Sequence, residues 1–332
     1  MKSVLLPRGG EGESHHFPTE RHRQVRHRLP RRVNASCPPL ANAVFLVATL
    51  LLSDCAPRQR TFHGPPSPEM AMHLAQAGDQ FFTVDGFRIR YREIGHGEPV
   101  VLLHGRGSSL DVWSWLGDSL ATDYRVIAID ERGFGQSTKS GDPSRYGKAM
   151  SHDVLALLDH LHLQRAHLVG HSQGAAIAAY VAATFPDRVT SAFLLAGPFF
   201  ADSAAYAAFS DPFAKDLEEG LGLINFYKAR GVSDSLAAAL NAEMLAHNDA
   251  PSVAAATRSL GGLIIPRALA HDIRVPAVVM VGTRDALLEN NRELASWWPG
   301  ARFVEVSDAT HISILRQPDV LHLIRERLQG SR

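Results

Sequence analysis

The chain has 332 residues, 45% hydrophobic and 20% charged, a globular composition long enough for one large α/β domain or two smaller ones. Lys plus Arg and Asp plus Glu both number 34, so the formal net charge is zero and nothing in the balance argues for nucleic acid or an acidic polymer as partner. Cys37 and Cys55 both precede the presumed core, which excludes a disulfide framework or a cysteine metal site as its basis.

Residues 1–40 mix arginines (Arg8, Arg21, Arg23, Arg26, Arg28, Arg31, Arg32) with histidines and have almost no apolar periodicity, which predicts a disordered basic segment. The apolar segment 41–55 follows. Basic-then-apolar is the layout of a secretory signal, and this run is too short for a comfortable membrane span. Leu52-Ser53-Asp54-Cys55-Ala56 resembles a bacterial lipoprotein signal, although Asp54 stands where that pattern has a small neutral residue. The expectation is an exported or membrane-anchored protein, with membrane association through 41–55 and a lipoprotein site at Cys55. The basic region is long for such a signal, which would fit a start downstream of Met1. Residues 56–78, with Pro57, Pro65, Pro66 and Pro68, read as a linker holding a short helix around 69–77.

From residue 79 strand and helix patterns alternate. Phe81–Val84 and Phe87–Glu93 flank Asp85-Gly86, a strong hairpin signal. Pro99–Leu103 is a continuous apolar run, as in a strand buried on both faces, and ends in His104-Gly105-Arg106-Gly107. A helix is predicted over 110–121, a strand over 124–129, a helix over 149–161 and a strand over 166–169. A helix over 172–185 and a strand over 190–196 complete the first core part, 79–197. The alternation then stops. Residues 198–270 read as alanine-rich helices (203–209, 216–227, 234–247, 252–260), a lid inserted into the core. The second core part, 271–332, holds strands at 275–281 and 302–306 and helices at 290–298 and 318–328. The fold class is α/β: a mainly parallel central sheet with helices on both faces and a helical lid.

Gly170-His171-Ser172-Gln173-Gly174 falls where a strand turns sharply into a helix. A serine on such a turn stands proud of the sheet, and the turn needs small neighbours. Roughly one chain in ten of this length would carry G-x-S-x-G by accident, so its context decides. That context is His104-Gly105, Asp130-x-Arg132-Gly133-x-Gly135-x-Ser137, Gly282-x-x-Asp285 and Ala309-x-His311, each at the carboxyl end of a predicted strand.

In these markers and their order, residues 80–330 resemble the α/β-hydrolase superfamily, most of all its small lidded members: carboxylesterases, meta-cleavage-product (carbon–carbon bond) hydrolases and cofactor-free haloperoxidases. The resemblance implies a triad of Ser172, Asp285 and His311. A serine hydroxyl is a poor nucleophile and needs an adjacent base, here His311, whose tautomer Asp285 would hold. Backbone N–H groups of Gln173 and Arg106 would form the oxyanion hole. Gly105 and Gly107 would let that loop approach the substrate, with His104 shaping it and His171 in support. The side chain of Arg106 reaches solvent or meets an acidic group on the substrate. Asp308 is the rival to Asp285 and reads as a turn residue. Trp113, Phe199, Phe200 and Phe226 fit a pocket lining or a core beneath the lid. His152, His160, His162 and His167 read as solvated.

The function expected is cleavage of a small or medium ester through an acyl-enzyme, with a small molecule as the partner. The alternatives are hydrolysis of a carbon–carbon bond in a vinylogous diketone, and a non-catalytic ligand-binding receptor on the same fold. Dehalogenase and epoxide hydrolase chemistry need Asp where Ser172 stands. No cofactor or metal is expected, because the sequence has no phosphate loop after the first strand, no H-E-x-x-H and no acidic ligand cluster.

Overall fold

In the computed structural model, residues 73–229 and 231–330 are described. The basic segment, the apolar segment 41–55 with Cys55, and most of the 56–78 linker lie outside the described residues. The chain is already structured at residue 73: helix α1 (His73–Gln76) buries Leu74, whose N–H donates to Asp118 Oδ1 at 2.8 Å.

Strands β1 (Gln80–Val84) and β2 (Phe87–Gly95) form the hairpin. Its corner, Asp85 and Gly86, takes φ values of 50° and 80°, as a primed two-residue turn requires. After β3 (Pro99–Leu103) comes a 3₁₀ turn, Leu110–Trp113, and then α2 (Ser114–Leu120), so the helix predicted from 110 starts as a tighter coil. The order continues with β4 (Arg125–Ile129), α3 (Lys148–His160), β5 (Ala166–His171), α4 (Gln173–Thr184) and β6 (Val189–Leu195).

Five helices follow before the next strand: α5 (Ser203–Glu218), α6 (Ile224–Lys228), α7 (Asp234–His247), α8 (Ala250–Ser259) and α9 (Arg267–Asp272). The chain then closes with β7 (Ala277–Gly282), α10 (Leu288–Trp297), β8 (Ala301–Val306) and α11 (Pro318–Gln329). Two predicted helices, 203–209 and 216–227, divide differently. Pro212 falls in the gap between them, and proline lacks an N–H and crowds the preceding turn. Here it lies inside α5, where Tyr206 and Phe213 are buried on either side of it. The real break falls at Gly220 and Gly222, with φ of 81° and 71°.

The strands form one sheet in the order β1-β2-β4-β3-β5-β6-β7-β8, antiparallel at β1, β2 and the β2–β4 pair and parallel from β4 to β8. Val101 and Leu103 face a core shared with α3 and α4, whereas Val100 and Leu102 face a core shared with α2 and α11. Covering both faces explains the uninterrupted apolar strands. It also corrects the reading of His167 as solvated: on β5 it is 1% exposed and hydrogen-bonded to Ser191 Oγ at 2.7 Å. From β3 the chain steps to β4 on one side and returns to β5 on the other. The carboxyl ends of β3 and β5 therefore stand at the point where the strand order reverses, the usual place for a ligand in an open α/β sheet.

Candidate active site

Ser172 links β5 to α4 with φ 51° and ψ −116°, a conformation that strains a side-chain-bearing residue by about 1–3 kcal/mol. The surroundings hold it there. Its N–H donates to Leu195 O at 2.8 Å, and its carbonyl accepts from Ala175 and Ala176 at 3.0 and 3.2 Å. A Cβ on Gly170 would lie 2.2 Å from Gly174 O, and one on Gly174 only 2.1 Å from Leu103 O. Both glycines are therefore demanded by the close approach of α4 to β3 and β5.

Asp285 and His311 come from the loops after β7 and β8, which are laced together. Thr283 N–H donates to Val306 O and Arg284 N–H to Ala309 O, both at 3.0 Å. A Cβ on Gly282 would sit 2.1 Å from Ala309 O. The result brings three side chains from distant sequence into one line. His311 Nδ1 donates to Asp285 Oδ2 at 2.8 Å, and Ser172 Oγ donates to His311 Nε2 at 3.0 Å. A carboxylate can only accept, so Nδ1 carries the hydrogen and Nε2 is left as the acceptor. Ser172, Asp285 and His311 are 6%, 5% and 1% exposed. Asp308 stays outside: it is an exposed turn residue with φ 55°.

His171 turns away from the serine and donates from Nε2 to His311 O at 2.8 Å, pinning the histidine loop. Burial, reinforced by neighbouring His311, pushes its pKa down to about 3, so it stays neutral. A Cβ on Gly105 would lie 2.8 Å from His171 Nδ1 and 3.3 Å from Ser172 Cβ, which explains that glycine. His104 donates from Nδ1 to Gly105 O at 2.8 Å and accepts at Nε2 from Glu131 N–H at 3.1 Å; burial lowers its pKa. Among the described residues, the backbone N–H groups of Gln173 and Arg106 have no hydrogen-bond acceptor.

Sequence reasoning passed over the buried Glu131–Gln173 pair. Glu131 Oε2 accepts from Gln173 Nε2 at 2.6 Å, and burial pushes the Glu131 pKa up to about 8. Both residues occupy variable positions of their motifs, so no spacing signal marks them. Arg106 is buried rather than solvated, its Nη2 donating to Tyr206 Oη at 2.8 Å. Phe226 stands edge-on to His311 with ring centroids 6.4 Å apart, while Trp113 lies fully buried in the core on the α2 side of the sheet. Asn248 ties the inserted segment to the core, accepting from Gly135 N–H at 2.8 Å and donating to Gly107 O at 3.2 Å. Among the described residues no group of three or more His, Cys, Asp or Glu could hold a metal ion, and no helix is long and apolar enough to cross a membrane.

A family model described as alpha/beta hydrolase fold matches residues 98–222. An enol-lactonase from Burkholderia xenovorans LB400 superposes with a TM-score of 0.65 at 26% identity, covering 75% of this chain and all of that one. An acetyltransferase component of an acetoin cleaving system from Pseudomonas putida is 44% identical over 118 residues, 34% of this chain and 31% of that protein. A 2-hydroxy-6-oxo-6-phenylhexa-2,4-dienoate hydrolase from Comamonas testosteroni is 38% identical over 116 residues, 34% of this chain and 40% of that protein. The chain thus spans about a third of the length of the acetyltransferase component. By these likenesses the chain has the α/β-hydrolase fold.

Proposed function

We propose that the chain is a serine hydrolase that cleaves a small or medium carboxylic ester through an acyl-enzyme. The observation that carries this reading is the unbroken Ser172–His311–Asp285 hydrogen-bond line of 3.0 and 2.8 Å, beside the point where the strand order reverses. In the reaction His311 Nε2 takes the Ser172 proton as Oγ attacks the ester carbonyl. Asp285 stabilises the imidazolium that forms. The unpaired N–H groups of Gln173 and Arg106 serve the oxyanion, each worth roughly 3–4 kcal/mol to the transition state. His311 then protonates the leaving alcohol, and water repeats the sequence on the acyl-enzyme. The three residues are nearly buried, so the inserted helices must shift to admit substrate. Likeness to an enol-lactonase supports ester chemistry, a lactone being a cyclic ester.

Likeness to a dienoate hydrolase favours one second reading, cleavage of a carbon–carbon bond in a vinylogous diketone at the same serine. A binding role without turnover is the weaker account, since it leaves the aligned serine, imidazole and carboxylate without a task. A panel of p-nitrophenyl esters of rising chain length, assayed beside a vinylogous diketone, decides among them. Ester turnover that falls by about 10⁴-fold in Ser172→Ala, with the fold kept, is the expected result. A loss below tenfold would remove Ser172 from the chemistry.

A further inference from the structure

Arg106 carries a buried cation with no counter-charge among the described residues. It leaves the core between Gly105, which lies against Ser172, and Gly107, where an added Cβ would come within 2.7 Å of both Leu223 and Met244 of the inserted segment. Its side chain runs into that seam. Cζ lies 5.1 Å from the Phe226 ring centre, and Phe226 stands edge-on to His311, so guanidinium and imidazole both border the same ring. The residue is 6% exposed. Nη2 donates to Tyr206 Oη at 2.8 Å, and that hydroxyl donates onward to Thr257 O at 2.8 Å. Nε and Nη1 are buried with no acceptor.

Arginines this deep are normally paired, because removing the charge from water is costly. Nη2 has two hydrogens and commits one to Tyr206. One edge of the fork therefore keeps two parallel N–H groups, the arrangement that receives a carboxylate. We infer that Arg106 binds a free carboxylate on the substrate, a few bonds from the carbonyl that Ser172 attacks. The substrates are then monoesters of dicarboxylic acids, or lactones bearing a carboxylate. This deepens, and rests on, the serine hydrolase reading. One residue would serve both ends of the substrate: its backbone N–H at the oxyanion and its side chain at the distant charge. Tyr206 positions the fork.

The test compares the p-nitrophenyl monoester of adipic acid with its methyl-capped analogue, which lacks only the charge. The readout is the ratio of their kcat/KM values, because damage to the shared oxyanion hole moves both alike. The wild-type chain should favour the charged ester by about tenfold or more, and Arg106→Met should reduce that ratio by about ten- to a hundredfold. Tyr206→Phe should reduce it by less. Thermal melting gives a readout free of turnover: adipate, but not dimethyl adipate, should raise the Tm of the wild-type chain and leave that of Arg106→Met unmoved. If neither ester is turned over, the hydrolase reading fails while the adipate shift still decides the carboxylate site. If Arg106→Met does not fold, Arg106→Lys, which keeps the charge but loses the fork, takes its place. No wild-type preference for the charged ester, or a ratio unchanged in a folded Arg106 variant, overturns the proposal.

Discussion

The loops at the carboxyl ends of β3, β5, β7 and β8 and the helices inserted between β6 and β7 pack together around Arg106 and His311, yet they are held by different forces. The core loops have no slack. Gly170, Gly174 and Gly282 each face a backbone oxygen at 2.1 or 2.2 Å from where a Cβ would stand. The inserted helices are joined by side chains instead. Arg258 of α8 reaches Glu218 of α5 at 2.8 Å, Tyr206 reaches Thr257, and Asn248 reaches the core. They also leave Leu221, Leu236 and Leu245 about half exposed. Backbone-to-backbone contact fixes reacting atoms tightly, while side-chain contact leaves room to change what is bound. On the proposed function, the first region would serve the chemistry and the second the choice of substrate.

Predictions can break that contrast. The largest effect belongs to Asp285→Asn, expected to lower kcat for a p-nitrophenyl ester by about 10³–10⁴-fold with little change in fold, because the amide no longer fixes the His311 tautomer. An effect below tenfold would remove the core loops from the chemistry. Next is Gly174→Ala, whose Cβ would overlap Leu103 O; chemical denaturation should show a loss of about 4 kcal/mol or more, or no folding at all. Wild-type stability there would mean the elbow has slack after all.

Glu131→Gln sharpens the contrast by pH. Burial raises the Glu131 pKa from 4.5 to about 8, so between these values the folded chain holds a proton that the unfolded chain has released. Its contribution to stability is therefore present at low pH and is lost as pH rises through that window, with a slope approaching about 1.4 kcal/mol per unit. His171 runs the other way. Its lowered pKa removes stability as pH falls from 6.5 toward about 3. The two oppose each other between 4.5 and 6.5, so the Glu131 slope stands clear from about 6.5 to 8. Denaturation curves across that range should flatten in Glu131→Gln; an unchanged slope refutes the buried-acid account. The smallest effect is in the inserted region: Pro212→Ala should stabilise the chain by about 1–2 kcal/mol, restoring an N–H to the interior of α5. Destabilisation would show that the proline shapes a contact the helix needs.

The same division governs what could be read from sequence. Each core marker sits at a strand end, where a glycine, a serine or an acid answers to a local backbone demand. The hairpin at Asp85-Gly86 and the β strands were therefore legible from residue type and spacing alone, while the elbow needed the other markers around it. Ser172, Asp285 and His311 were named as a set through the family resemblance; their meeting depends on strand order, which spacing does not contain. Inside the inserted segment, alanine is compatible with a helix at almost any register. The break read between 203–209 and 216–227 consequently fell too early, and α9 was passed over. His167 was misjudged, and the Arg106 side chain left open between two readings, for another reason. Both are polar groups buried by tertiary packing, against Ser191 in one case and Tyr206 in the other, and nothing beside them in the sequence announces those partners.

The central claim is that Ser172 is the one hydroxyl activated by the imidazole beside it. Labelling with diisopropyl fluorophosphate followed by peptide mapping tests it most directly. The account predicts a single phosphoryl adduct on the peptide carrying Ser172, formed in step with loss of ester turnover, and absent in Ser172→Ala and greatly slowed in His311→Ala. Ester turnover that survives full labelling of Ser172, or an adduct on another residue that tracks the inactivation, would contradict it.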